Sequence, residues 1–283
     1  MEFLKAAIVP VIWGTTYVVT SEVLPPGRPI LAAVLRALPA GLLLLLWQRR
    51  LPQGRWWAKA TTLALFNFTG FFGFLFLAAY MLPNGVASVL TNTSPLVVMA
   101  LAPALLGTRL QLSQVVAGLL AVCGVAALTL TPGAHLTLPG VVAGLAASVC
   151  MGTGTVLAKK WGRPEGVSQL AVTSWQLTLG GLMLTPFLAW EGLPERLTGS
   201  QIAGYAYLCI FGALIAYMIW FKALAALDAV RISLLAPIAP LVATLIGVFY
   251  VGESLSVVQA LGGLAILAAL VLAQGVPRRR SRI

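Results

Sequence analysis

Charge is what this sequence has least of. Only 9% of its 283 residues are Asp, Glu, Lys or Arg, where an ordinary soluble domain carries about 25%. That is too little polar surface to coat a globule, so the solvent must be largely lipid. Acids are the scarcer sign, with seven Asp and Glu against 18 Lys and Arg. Glu2, Glu22, Glu165, Glu191, Glu195, Asp228 and Glu253 all fall at the ends of apolar runs or in loops. An integral-membrane transferase needs clustered acids for a metal–pyrophosphate or a nucleophile–base pair, and no cluster exists. A proton-coupled pump usually needs a carboxylate in mid-membrane, and none lies there either. Cysteine is sparse too. Cys123, Cys150 and Cys209 sit inside apolar segments, too far apart for a metal motif or a disulfide framework. The single histidine, His135, stands in a short loop without a partner nearby. No catalytic residue, metal ion or cofactor is therefore expected. Short alternating strands are also missing, which excludes a β-barrel.

What the chain does have is apolar runs of helix length: 60% of its residues are hydrophobic. The spacing of prolines, glycines and charges predicts ten transmembrane helices, at about Leu4–Thr20, Ile30–Trp47, Trp57–Leu82, Val86–Leu106 and Ser113–Leu130, then Gly140–Lys160, Val167–Trp190, Gln201–Leu227, Ala229–Val251 and Val257–Gln274. The first lacks a small-residue cleavage site and a polar mature start, so a retained helix is expected rather than a signal peptide. The net charge of +11 would suggest nucleic acid in a soluble protein. Here the basic residues occupy short loops and a tail, so no nucleic-acid partner is expected. All the Lys and Arg except Arg28, Arg36 and Arg196 fall on one side of a ten-helix path. The positive-inside rule then puts both termini in the cytoplasm.

The chain also repeats itself. Ser88 and Ser233, Pro95 and Pro240, Gly107 and Gly252, Gln114 and Gln259, and Gly118 and Gly263 all lie 145 positions apart. An internal duplication in so apolar a chain points to a transporter. The expected division is residues 1–133 as a first five-helix repeat, 134–276 as a second, and 277–283 as a basic cytoplasmic tail. Five is odd, so the repeats must cross the membrane in opposite senses around a central cavity.

The paired segments, with Pro237, Pro240, Gly252-Glu253-Ser254-Leu255, Gln259 and Gly262-Gly263, together with Trp13-Gly14 and Arg36, resemble the drug/metabolite transporter superfamily in its EamA-type branch. The likeness runs from about Leu4 to Gln274. The first half departs from the family pattern, reading Gly107-Thr108-Arg109 where the family has Gly-Glu. The layout is similar to the ten-helix basket of YddG-type amino-acid exporters. The resemblance implies a multi-pass protein of the cell (inner) membrane that exports small metabolites, amino acids foremost, by alternating access. The alternative it leaves open is polyspecific efflux of drugs and cations. Neither the composition nor the resemblance speaks to oligomeric state.

Ser88, Thr91, Asn92 and Pro95 share one helical stripe, and Ser233, Pro237, Pro240 and Thr244 share another. Small polar residues let membrane helices pack closely. They also make a cavity wall, which the cost of Asn92 against lipid and the recurrence of the stripe favour. The expected substrate-binding residues are Trp13, Thr16, Tyr17, Ser88, Asn92, Trp175, Gln176, Tyr217, Ser233 and Pro237. Pro95 and Pro240 are the expected hinges. Arg36 either snorkels to the interface or faces a cavity. Gly14, Gly152, Gly154, Gly180 and Gly181 are expected at close helix contacts.

Overall fold

The computed structural model describes residues 2–82, 84–130, 136–251 and 255–274. All regular structure among them is helical. Ten segments follow one another: α1 Glu2–Glu22, α2 Pro29–Gln48, α3 over 56–81, α4 over 84–106, α5 Leu112–Thr129, α6 Leu138–Trp161, α7 over 169–191, α8 over 199–226, α9 over 229–251 and α10 Val257–Gln274. Eight of them are long and apolar enough to cross a membrane alone. The α7 segment gets its length by adding a 3-10 turn, Thr185–Phe187, to a shorter α-helix. Their ends agree with the sequence expectation to within about two residues, because Pro, Gly and polar caps punctuate them. Gln114 and Gln259 explain themselves here. Gln114 Oε1 accepts from the Gln111 backbone N–H at 3.1 Å, and Gln259 Oε1 from that of Ser256 at 2.9 Å. Each caps the start of a repeat-related helix, satisfying a donor that lipid would leave orphaned.

Two helices differ from expectation. α4, expected as one span with a hinge at Pro95, stops at Thr91 and restarts at Ser94. α9 stops at Ser233 and restarts at Ile238. Pro95 enters the second position of its new half-helix, where a missing N–H costs least. Pro237 stands just ahead of the new half in α9. The stripes read from the sequence are thus bent at these breaks rather than straight. α3 and α8 carry a second irregularity, π-helical turns over Leu65–Gly70 and Leu208–Ile215.

Contacts pair off between the halves. A Cβ built on Gly14 of α1 would meet the carbonyl of Ala239 and the Cβ of Val242 in α9, both at 2.7 Å. One on Gly152 of α6 would meet Val97 Cβ at 2.6 Å and the Ser94 carbonyl at 3.1 Å in α4. Ser94 and Val97 lie 145 positions before Ala239 and Val242. α2 and α7 likewise touch reciprocally, Gly41 against Leu177 and Thr178, Gly181 against Leu38. Gly154 and Gly180 also meet facing helices, at Asn67 and Phe68. Small residues at these crossings let backbones approach, which is how helices associate in lipid without a hydrophobic drive. Exposed side chains such as Leu42, Leu145, Val149 and Leu267 cover the outside, as a lipid-facing surface requires.

Two ends of the bundle follow from the loop contacts. At one, Arg50 donates to the Gly166 carbonyl and Lys159 to those of Leu224 and Ala225. At the other, Arg28 donates to the Glu191 carbonyl, and the Glu191 carboxylate accepts from the backbone N–H of Ile30 at 2.6 Å and Leu31 at 2.9 Å. That carboxylate caps α2, complementing its positive N-terminus. The first end is the basic one. Residues 131–135, 252–254 and the tail 277–283 lie outside the described residues, and with them His135, the 133/134 boundary, Gly252 and Glu253.

Candidate functional site

The middle of the bundle is built around one carbonyl. The π-helical turn in α8 offsets its backbone, and the Gly212 oxygen accepts from Trp13 Nε1 of α1 at 3.1 Å. It also accepts from Arg36 Nη2 of α2 at 2.9 Å. π-turns break the regular i to i−4 ladder and commonly occur at functional sites. The Thr16 methyl and the Arg36 Nε also pack close to Gly212, 3.4 and 3.5 Å from where its Cβ would be. Arg36 is only 8% exposed, and its guanidinium carbon sits 5.1 Å from the centre of the Phe72 ring. It does not snorkel. A membrane-buried arginine held this way marks a functional interior more than a structural one.

Rings surround this centre. Trp13 lies 5.4 Å from Tyr217 and 5.1 Å from Trp220, and Phe68 lies 4.7 Å from Tyr217, edge-on. Such tilted pairs suit the aromatic quadrupole. Trp220 is almost fully buried, and its Nε1 has no hydrogen-bond partner. A buried donor left unmade costs about 1–3 kcal/mol.

The expected site residues divide among several places. Trp13, Thr16 and Tyr217 meet around Gly212. The side chain of Tyr17 lies outside the described residues. Ser88 and Asn92 are buried at the break in α4, where Asn92 Nδ2 donates to the Ser88 carbonyl at 2.9 Å and Ser88 Oγ has no partner. Ser233 and Pro237 are buried at the matching break in α9, with Ser233 Oγ donating to the Val230 carbonyl at 2.8 Å. Pro95 and Pro240 are buried just beyond the two breaks. Gln176 is fully buried and accepts from Asn67 Nδ2 at 2.8 Å. Trp175 stands apart from the central rings: its Nε1 donates to the Arg50 carbonyl at 2.6 Å and its ring packs near Trp56, at the basic end.

Phe68, Phe72 and Gly212 were not among the expected site residues, and Arg36 was expected either to snorkel or to face a cavity. Burial of Asn67 in an apolar helix was the available signal for its polar partner. Nothing in the sequence marks a π-turn or a glycine carbonyl. The Arg36–Gly212 and Gln176–Asn67 contacts are themselves repeat-related. Arg36 and Gln176 lie 140 positions apart, and Asn67 and Gly212 lie 145 apart. Each joins the second helix of one half to a π-turn in the third helix of the other.

Comparison with known proteins agrees with this architecture. Protein PecM of Dickeya dadantii is 42% identical over 268 residues, covering 94% of this chain and 90% of that protein. A probable amino-acid metabolite efflux pump of Salmonella typhimurium is 28% identical over 284 residues, covering 94% and 92%. A crystal structure superposes with a TM-score of 0.81 at 20% identity, over 98% of this chain and 99% of that one, a likeness of fold alone. The EamA-like transporter family model matches residues 1–130 and 138–274. With ten helical segments, paired breaks and a family model that covers both halves, the chain belongs to the EamA-like transporter family, a branch of the drug/metabolite transporter superfamily.

Proposed function

We propose that this membrane transporter exports amino acids, neutral ones with hydrophobic or aromatic side chains foremost, by alternating access and as a uniporter. The observation that carries the reading is the sign of the central charge. Among the described residues, the Asp, Glu, Lys or Arg side chain buried mid-bundle is Arg36, a cation, while the acids sit at helix ends and in loops. A buried guanidinium attracts a carboxylate and repels a lipophilic cation. The rings of Trp13, Phe68, Tyr217 and Trp220 offer apolar walls that accept varied side chains. The similarity to a probable amino-acid metabolite efflux pump supports the same class. The absence of a mid-helix acid in the sequence removes the usual proton carrier, which favours movement down a gradient.

In this reading the chain is two inverted five-helix units, residues 1–133 and 134–276, with a basic tail at 277–283. It lies in the inner membrane with its basic end and both termini in the cytoplasm. The substrate meets Trp13, Thr16 and Tyr217 near Arg36, and the polar groups of Ser88, Asn92, Ser233 and Gln176, with Pro237, Tyr17 and Trp175, complete its path. Flux into liposomes carrying purified protein tests it, with a panel of amino acids and of lipophilic cations and with or without an imposed proton gradient. Amino-acid flux independent of the proton gradient is expected. Robust movement of cations without any amino-acid flux would replace this reading with polyspecific efflux.

A further inference from the structure

Two cavities open at the basic end, and the smaller reaches Phe221, whose ring stacks on Tyr217 at 5.8 Å. The larger, about 420 Å³, lies between the ends of α4, α6 and α8 and is lined by Thr108, Lys159, Lys160 and Asp228 among others. The smaller, about 220 Å³, shares Lys159 and adds Arg163 and Gln169. The larger volume falls in the range of small-molecule sites. Its wall carries both signs of charge. Lys159 Nζ is held in place, donating at 2.9 Å to the carbonyls of Leu224 and Ala225 at the C-terminus of α8. Two of its three donors are thereby used, leaving one. Asp228 is held too, its Oδ1 accepting from the backbone N–H of Val230 at 3.0 Å and Arg231 at 3.2 Å. In the same lining the Thr108 hydroxyl is buried with no hydrogen-bond partner. A preorganised cation, a preorganised anion and an unmet hydroxyl in one cavity match a ligand that carries both charges on neighbouring atoms.

We infer that this cavity is a loading site for zwitterions on the way to the centre. Lys160 and the remaining Lys159 donor bind the carboxylate, with the Thr108 hydroxyl donating to it. Asp228 binds the ammonium. A purely anionic ligand would meet the repulsion of Asp228, and a purely cationic one that of the lysines. The inference rests on the amino-acid reading above and extends it to a second site at the entrance.

Leucine is the probe. Equilibrium binding to purified protein and flux from each face of reconstituted liposomes are measured for the wild type, Lys160→Gln, Thr108→Val and Asp228→Asn. Asn keeps the Oδ1 acceptor that caps α9, so the fold is preserved. Lys160→Gln and Asp228→Asn are each expected to raise the half-saturating leucine concentration from the basic face by about five- to tenfold. Maximal flux from the basic face stays unchanged, and the ratio of maximal flux to half-saturation falls by the same factor from both faces, as uniport requires. Two competitors separate the charges. 4-Methylpentanoate loses affinity in Lys160→Gln but not in Asp228→Asn, and 3-methylbutylamine shows the reverse. Normal leucine flux with unaltered half-saturation in all three variants overturns the loading site and leaves amino-acid export standing. Leucine binding that weakens in these variants, in a protein that moves no amino acid, keeps the site and overturns the export reading. If leucine neither binds nor moves, both fall.

Discussion

Arg36 shows how one residue takes its meaning from its neighbours. Read in sequence, it is a charge near the start of an apolar helix, free to snorkel. In the fold it is buried, bonded to the Gly212 carbonyl and set against Phe72. Arg36→Gln keeps a donor for Gly212 but removes the charge. It is expected to raise the half-saturating concentration of amino acids about tenfold or more, with little effect on amines that lack a carboxylate, in the liposome flux assay. Trp13→Ala should shift preference among side chains, since it removes one wall of the ring cluster, and Asn92→Ala should weaken apparent affinity by about two- to tenfold. At the Asn67–Gln176 pair, a double-mutant cycle to alanine should give a coupling of about 0.6 kcal/mol and at most about 1.7 kcal/mol, measured by chemical unfolding in detergent. A coupling near zero would remove the pair as a stabilising link between α3 and α7.

In the proposed transport cycle the elements carry the motion. The breaks in α4 and α9 leave backbone groups outside the helical ladder, tolerable in a membrane only where protein or a water-filled cavity receives them. Around the first break, the Thr93 hydroxyl bonds that of Ser148 in α6 at 2.7 Å, and the Ser88 carbonyl accepts from Asn92 and Thr91. Pro95→Ala and Pro240→Ala restore the missing donors and let each helix run straighter. Both variants are expected to fold in normal yield and to turn over several-fold more slowly; wild-type rates in both would remove the hinge role. The close approach of α1 to α9 and of α6 to α4 belongs to the same scale. Gly152→Val, which would drive a side chain into Val97 and the Ser94 carbonyl, should cost about 1–3 kcal/mol by overpacking. Gly14→Val should cost a similar amount at the equivalent crossing, read as lowered thermal stability in detergent.

For the whole molecule, the alternation of loop contacts between two ends agrees with ten crossings. Reporter fusions after Arg55 and after Lys160 should read cytoplasmic, as should fusions to the C-terminal tail, while fusions within 131–137 should read the far side. A tail that reads outside would remove one helix from the count. Helix number and helix ends were legible in the sequence, because lipid leaves a chain few choices. Each span must be about twenty apolar residues long and must satisfy its own backbone, and basic residues must stay on one side. The repeated Pro, Gln and Gly positions were legible for a related reason: each performs a local backbone task, a break, a cap or a close contact, that any copy of the helix must repeat. The site was only half legible. Trp13, Thr16 and Tyr217 come together, but Trp175, equally apolar in context, is drawn to the Arg50 carbonyl at the basic end. Phe68 and Phe72 carry no distinguishing mark in the sequence, and it is the rotation of α3 that buries them. The sequence by itself determined how many times the chain crosses and where each crossing stops, since those are matters of length, hydropathy and local caps. Only the tertiary structure decided which polar groups meet in mid-membrane, because that depends on the rotation of each helix, on π-turns that shift the register of α3 and α8, and on glycine contacts that fix how closely their neighbours approach.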